Sequence, residues 1–120
     1  MKNTILNLTQ HNASEEQVAE GVVNSKSQAE IKTLLTFNEI PTDTDMLERA
    51  TRISDIASIE LKTNNKQAMI GGAPFFMPVL CEQLKAKGIQ PLFAFTKRVS
   101  QDGPNGEKVS VFKHEGFIPA

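Results

Sequence analysis

The sequence predicts an α/β fold: three layers, with a mainly parallel sheet of about five strands and helices on both faces, closed by an antiparallel hairpin strand at the C-terminus. Three observations predict it. Short segments of strand type alternate with amphipathic segments of helix type. One of the latter, from about Asp45 to Leu61, carries a long apolar stripe. The last two strand-type segments flank a Gly- and Pro-rich loop, as a hairpin requires. At 120 residues the chain fits a single domain, 1–120, with one modest core.

The elements follow in order. Thr4–Leu8 alternates apolar and polar residues and reads as a strand. Ser14 with Gln17 three residues later is a capping-box signature, and Val18, Ala19, Val22 and Val23 continue at helical spacing, so a first helix is expected over Ser14–Val23. Ile31–Phe37, rich in β-branched and aromatic residues, reads as the second strand. Pro41 ends it, and Thr42 or Thr44 can cap the long second helix, with acids in its first turn. Gln67–Ile70 is a short buried strand. Gly71-Gly72 makes the turn, and Pro74 fits the first position of a third helix reaching Lys87, closed by Gly88. Ile89–Val99 and Lys108–Ile118 are the hairpin strands, with a turn-rich tip between them. The whole pattern is Rossmann-like, and its crossovers are expected to be right-handed.

Composition narrows the function. A net charge of -1 gives no global field toward nucleic acid or membrane, so duplex nucleic acid and membrane are not expected partners. Trp and Tyr are absent, and seven Phe carry the aromatic load. Cys81 is the single cysteine, which excludes an intrachain disulfide and suits a reducing, cytoplasmic setting. With only His11 and His114 beside it, no structural metal site is expected, and no motif requires a cofactor. The N-terminus lacks the apolar run of a signal peptide.

Parallel sheets bind ligands beyond the carboxyl ends of their strands. That rule selects Thr9, Gln10, His11 and Asn12 after the first strand, Asn38 and Glu39 after the second, Gly71 and Gly72 after the third, and Thr96, Lys97, Arg98 and Ser100 after the fourth. Glycines let a ligand approach the backbone closely, and a following helix N-terminus favours an anion. The turn matches neither the dinucleotide fingerprint nor a P-loop; a tight turn with no ligand is the alternative. His11 can act as an acid or base or bind phosphate, or it is an ordinary loop histidine. Lys97 and Arg98 point to opposite faces of their strand, and either can clamp a phosphate or blunt a sheet edge. His114, between Lys113 and Glu115, reads as a surface residue or dimer contact. Phe75, Phe76 and Met77 cannot all face one core, so an exposed apolar shoulder and a homodimer through this region are expected.

The stretches "ILNLTQHNASEEQ", "MIGGAPFFMPVL" and "LFAFTKR…VFKHEGF" resemble small stand-alone Rossmann-like proteins found around CRISPR systems and mobile elements. Some of these are CARF-like proteins, and some are ring nucleases that open cyclic oligoadenylate. The resemblance implies a two-fold dimer with ligand at the subunit interface and metal-independent cleavage by a ribose 2′-hydroxyl. Thr9, Gln10 and His11 would then lie near the ligand, Gly71 and Gly72 would contact phosphate, and Lys97 or Arg98 would stabilise charge. Glu39, on the same expected edge, opposes tight polyanion binding. The alternative is a non-enzymatic interaction or regulatory module of a mobile element or defence locus.

Overall fold

The computed structural model describes residues 4–120. The elements are β1 (Ile5–Leu8), α1 (Glu15–Ala19), β2 (Val22–Asn24), α2 (Gln28–Leu34), α3 (Asp43–Glu60), β3 (Gln67–Ile70), α4 (Met77–Ala86), β4 (Gln90–Asp102) and β5 (Lys108–Pro119). They form one five-stranded sheet in the order β2-β1-β3-β4-β5. Its first four strands are parallel, and β5 runs antiparallel to β4. The α/β class, the mainly parallel sheet and the closing hairpin are as the sequence predicts.

Two elements differ. The first helix stops at Ala19, because Gly21 adopts a φ of 108°, open to glycine and strained for other residues. Val22 and Val23, expected to finish that helix, instead open β2, with Val22 buried and Val23 exposed. Ile31–Phe37 is accordingly not the second strand. Residues 28–34 are helical, and Phe37 lies in the loop beyond. The reason is periodicity: Ile31 and Leu35 are one helical turn apart, and both are buried beneath α3. Packing of that stripe overrides the β propensity of the individual residues.

The other boundaries follow local chemistry. Ser14 and Gln17 form the reciprocal capping box of α1. The Thr42 side chain caps α3 by accepting from the Asp45 N–H. Gly88 closes α4 with φ 73°. The helix itself starts later than Pro74 suggests. Pro74 lies in a turn, and Pro78 occupies the first turn of the helix.

Strand alternation divides the core. Leu6, Leu8, Ala68 and Ile70 face α2, α3 and α4 and join the main cluster around Ile53, Phe76, Leu80 and Leu84. Ile5, Met69 and Leu92 face the other way and pack with Val22, Ala13, Ala94 and Phe117 on the side of α1. Phe76 is fully buried and Met77 nearly so, while Phe75 is half exposed, so of the expected apolar shoulder only Phe75 reaches the surface. Phe37 fastens the loop after α2 through edge contacts to Phe75 and Phe76 and beneath the Arg49 guanidinium, 4.3 Å from its ring centre. Cys81 is a packing residue, and burial pushes its thiol pKa up, away from the reactive thiolate. No helix among the described residues is long and apolar enough to cross a membrane.

Pairing of β4 with β3 ends at Phe93, yet β4 continues to Asp102, paired with β5 alone. The two strands form a ribbon that outruns the sheet. A bulge interrupts it: Phe95 pairs with Gly116 and Thr96 with His114, leaving Glu115 as the extra residue. His114 is therefore not a surface residue. Its side chain is 3% exposed, its ring lies 4.8 Å from that of Phe117, and its Nε2 stands 3.0 Å from a Glu20 carboxylate oxygen, off hydrogen-bond alignment. The His114 backbone N–H donates to Glu16, which ties the ribbon to α1.

Candidate functional site

The strand order places a topological switch between β1 and β3. The chain leaves β1 toward β2 on one side, and leaves β3 toward β4 on the other. The loops after these two strands diverge, and the crevice between them is where sheets of this kind bind ligands. A cleft of about 470 Å³ lies there. It is walled by Thr9, Gln10, His11 and Asn12 after β1, by Gly71 and Gly72 after β3, by Ser14 and Gln17 of the α1 cap, and by Met69, Ile70, Phe93 and Ala94 of the strands.

The β1 loop is held by one buried amide. Asn7 is 2% exposed and shares the α1 face with Ile5. Its Oδ1 accepts from the Thr9 N–H (2.9 Å) and the Thr9 hydroxyl (2.7 Å). Its Nδ2 donates to the His11 carbonyl (2.7 Å) and to Asn24 Oδ1 (2.8 Å). Asn24 Oδ1 also accepts from the Ala13 N–H. A buried amide with all its bonds made is rigid and specific, so Asn7 and Asn24 set the path of residues 9–13. Neither was among the residues selected from the sequence. The available signal was a polar residue inside an otherwise apolar buried strand.

With the loop fixed from below, its side chains are free to face solvent. His11 is exposed, and its imidazole has no hydrogen-bond partner among the described residues. Gln10 is steadied by a bond from its Nε2 to the Thr36 hydroxyl, and Asn12 by accepting from Gln28. The capping box engages Ser14 Oγ and Gln17 Oε1 as acceptors, leaving the Ser14 hydroxyl proton and Gln17 Nε2 as donors.

The two glycines play different parts. Gly72 has φ 150°, and a Cβ there would come 3.4 Å from Met77 Cε, so it answers to backbone and packing. Gly71 has no such constraint. A Cβ on it would meet only Thr9 Cγ2 at 3.7 Å, an ordinary contact, across the cleft mouth. The helix behind the turn does not present its N-terminus to the cleft. It starts at Met77, with Phe76 and Met77 buried and no N–H at Pro78, and none of its residues lines the cleft.

The structure thus gathers Thr9, Gln10, His11, Asn12, Gly71 and Gly72 into one site. It does not bring in Thr96, Lys97 or Arg98, which lie out along the ribbon, opposite His114, Lys113 and Phe112. Asn38 and Glu39 sit apart too, beside Ile40, Pro41, Met46 and Phe75 at a separate apolar groove, so Glu39 does not oppose an anion at the cleft. Among the described residues no acid, lysine or arginine lines the cleft; its walls are amides, hydroxyls, one imidazole and apolar side chains. Among the described residues no cluster of three or more His, Cys, Asp or Glu is placed to hold a metal.

A family model described as "Uncharacterized protein MJ1673 family" matches residues 3–118, and the chain belongs to that family. No curated protein and no solved structure matches it.

Proposed function

We propose that the cleft between β1 and β3 binds a small nucleotide-type ligand, and that recognition of this ligand is the function of the protein. The observation that carries the reading is a coincidence of place and lining. The cleft falls at the switch point of the sheet. Its apolar strand residues suit a flat ring, and its loop amides and hydroxyls suit the polar edges of a base or sugar. Asn7 holds the loop in place before any ligand arrives, which reduces the ordering cost of binding.

The resemblance to CARF-like proteins motivates a finer proposition, opening of a cyclic oligoadenylate without metal. Its acid or base would be His11, which lines the cleft. Lys97 and Arg98 do not line the cleft, so charge stabilisation from them would need a second copy or a movement of the ribbon. Binding is the reading the geometry favours, with turnover as its extension.

A thermal-shift screen tests it, with adenosine, AMP and cyclic tetra-adenylate in EDTA. A ligand at ~100 times its dissociation constant should add about 2.7 kcal/mol of stability. Gly71→Ala should leave the melting temperature of the free protein unchanged and reduce the ligand-induced rise, because its Cβ would add bulk beside Thr9 in the cleft lining. Silence from all three compounds would overturn the reading. Linear products that disappear in His11→Ala would support cleavage.

A second reading rests on the apolar groove of about 580 Å³ formed by Phe37, Ile40, Pro41, Met46 and Phe75, where Ile40 is 97% exposed. Such a surface suits a protein contact, including the expected homodimer. Ile40→Asp would convert a dimer to a monomer in light scattering if this groove is the interface.

A further inference from the structure

The Gln10–Asn12 loop has a second side. Beyond it runs a groove of about 630 Å³ between the loop and α2, lined by His11, Asn12, Ser25, Lys26, Gln28 and Lys32 among others. Gln10, His11 and Asn12 line both the groove and the neutral cleft, so one bound molecule can reach into both.

The groove has the charge that the cleft lacks. Lys26 and Lys32 are exposed, and neither has a carboxylate partner among the described residues. Of the neighbouring acids, Glu30 is paired with a cation of its own, and Glu60 stands at the rim, bonded to two residues of the lining. Glu30 is held by Arg52 through two bonds, at 2.6 and 3.0 Å. Glu60 accepts from the Ser25 hydroxyl and from the Lys26 backbone N–H, and is not part of the groove lining. The lining itself thus carries two lysines and no acid, with the Glu60 carboxylate at the rim offsetting part of the Lys26 charge. Neutral donors accompany them. Asn12 Oδ1 accepts from Gln28 at 2.6 Å, which leaves the Asn12 amide N–H groups and the His11 imidazole available. With α2 only two turns long, side chains and not the helix dipole supply the field.

We infer that this groove is the phosphate-binding half of the site, taking a phosphate or diphosphate whose nucleoside lies in the β1/β3 cleft. The inference rests on the proposed occupation of that cleft. Two ammonium groups with amide and imidazole donors match a multiply charged tetrahedral anion with several acceptor oxygens. The cationic role assigned from the sequence to Lys97 and Arg98 passes to Lys26 and Lys32, which stand beside the ligand loop.

Amide chemical-shift mapping and titration separate the two halves. Inorganic pyrophosphate alone should move resonances of residues 10–12 and 26–32. The paired change Lys26→Ala with Lys32→Ala should weaken pyrophosphate and ADP binding by roughly 100-fold, a charge-assisted bond being worth about tenfold or more each. The same variant should bind adenosine as the parent does, and Lys26→Arg with Lys32→Arg should retain pyrophosphate. Pyrophosphate that binds on the ribbon near Arg98, ADP affinity unaffected by the alanine pair, or citrate binding as tightly as pyrophosphate would each overturn the inference. If pyrophosphate binds in the groove while adenosine does not bind at all, the phosphate site stands and the reading of the cleft fails.

Discussion

The two faces of the sheet are built on different principles. One is covered by α2, α3 and α4 and holds sixteen buried residues among those described, almost all aliphatic. The other holds four, under a five-residue helix and the base of the ribbon, and it buries polar groups: Asn7, and the imidazole of His114. The first face is a packed apolar interior, where stability comes from area removed from water. The second is held by specific hydrogen bonds that aim a loop. The candidate site forms where that second face meets the carboxyl edge. The main core and the hydrogen bonds that hold the β1 loop thus lie on opposite sides of β1 and β3, and substitutions on each side should separate stability from the proposed binding in the cleft.

The largest effect should come from the apolar face. Phe76 is the largest fully buried side chain, set among the main cluster. Phe76→Ala should cost about 3–5 kcal/mol in denaturant unfolding, and nucleotide binding by the fraction that remains folded should be unimpaired. Comparable stability with lost binding would break the proposed division. Next is the polar face. Asn7→Ala removes four hydrogen bonds and leaves the Thr9 N–H without its acceptor, while Asn24 Oδ1 keeps the Ala13 N–H and the Thr9 hydroxyl keeps the His11 carbonyl within reach. It should destabilise by about 1–3 kcal/mol, less than Phe76→Ala, yet abolish the ligand-induced thermal shift. Full binding in this variant would show that the loop does not depend on its buried amide.

The smallest effect lies on the surface. The Arg52 guanidinium hydrogen-bonds Glu30 and holds its carboxyl below the usual range. Its pKa is lower folded than unfolded, so the pair contributes above the ordinary carboxylate pKa and loses that contribution as pH falls through the lowered value. Glu30→Gln should therefore flatten the acid limb of a stability-against-pH profile slightly and leave neutral stability nearly unchanged, because an exposed pair is well screened. A large neutral-pH loss would mean that the pair also orders α2 and its groove.

Much of the architecture was legible because its signals are local. The capping box of Ser14 and Gln17, the stripe of α3 and the glycine after α4 are short-range features, and the hairpin announces itself through alternating strands around a Gly-Pro loop. The two early elements that differ share one cause. Val22–Asn24 is a three-residue strand, too short for any pattern, and its membership of the sheet is decided by pairing with β1. Ile31–Phe37 has the β-like composition that Val22–Asn24 is too short to display, and its helical form is set by packing under α3. Lys26 and Lys32 carry no local signal for a site, because only the packing of α2 brings them beside the β1 loop. Of the site itself, the β1 and β3 loops were identified by the rule of strand ends alone. The β4 residues failed the same rule because that strand does not end where the sheet does.

By itself, then, the sequence determined the class of the fold, the caps and breaks of its longer elements, and the two loops that meet at the cleft, since each depends on residues close together in the chain. Tertiary structure decided which face each valine and phenylalanine met, that Phe76 is core and Phe75 surface, that His114 is buried against Glu20, and that lysines rather than the ribbon cations flank the loop. Those outcomes turn on strand order and register, which are settled by the packing of segments far apart in sequence and leave no local trace.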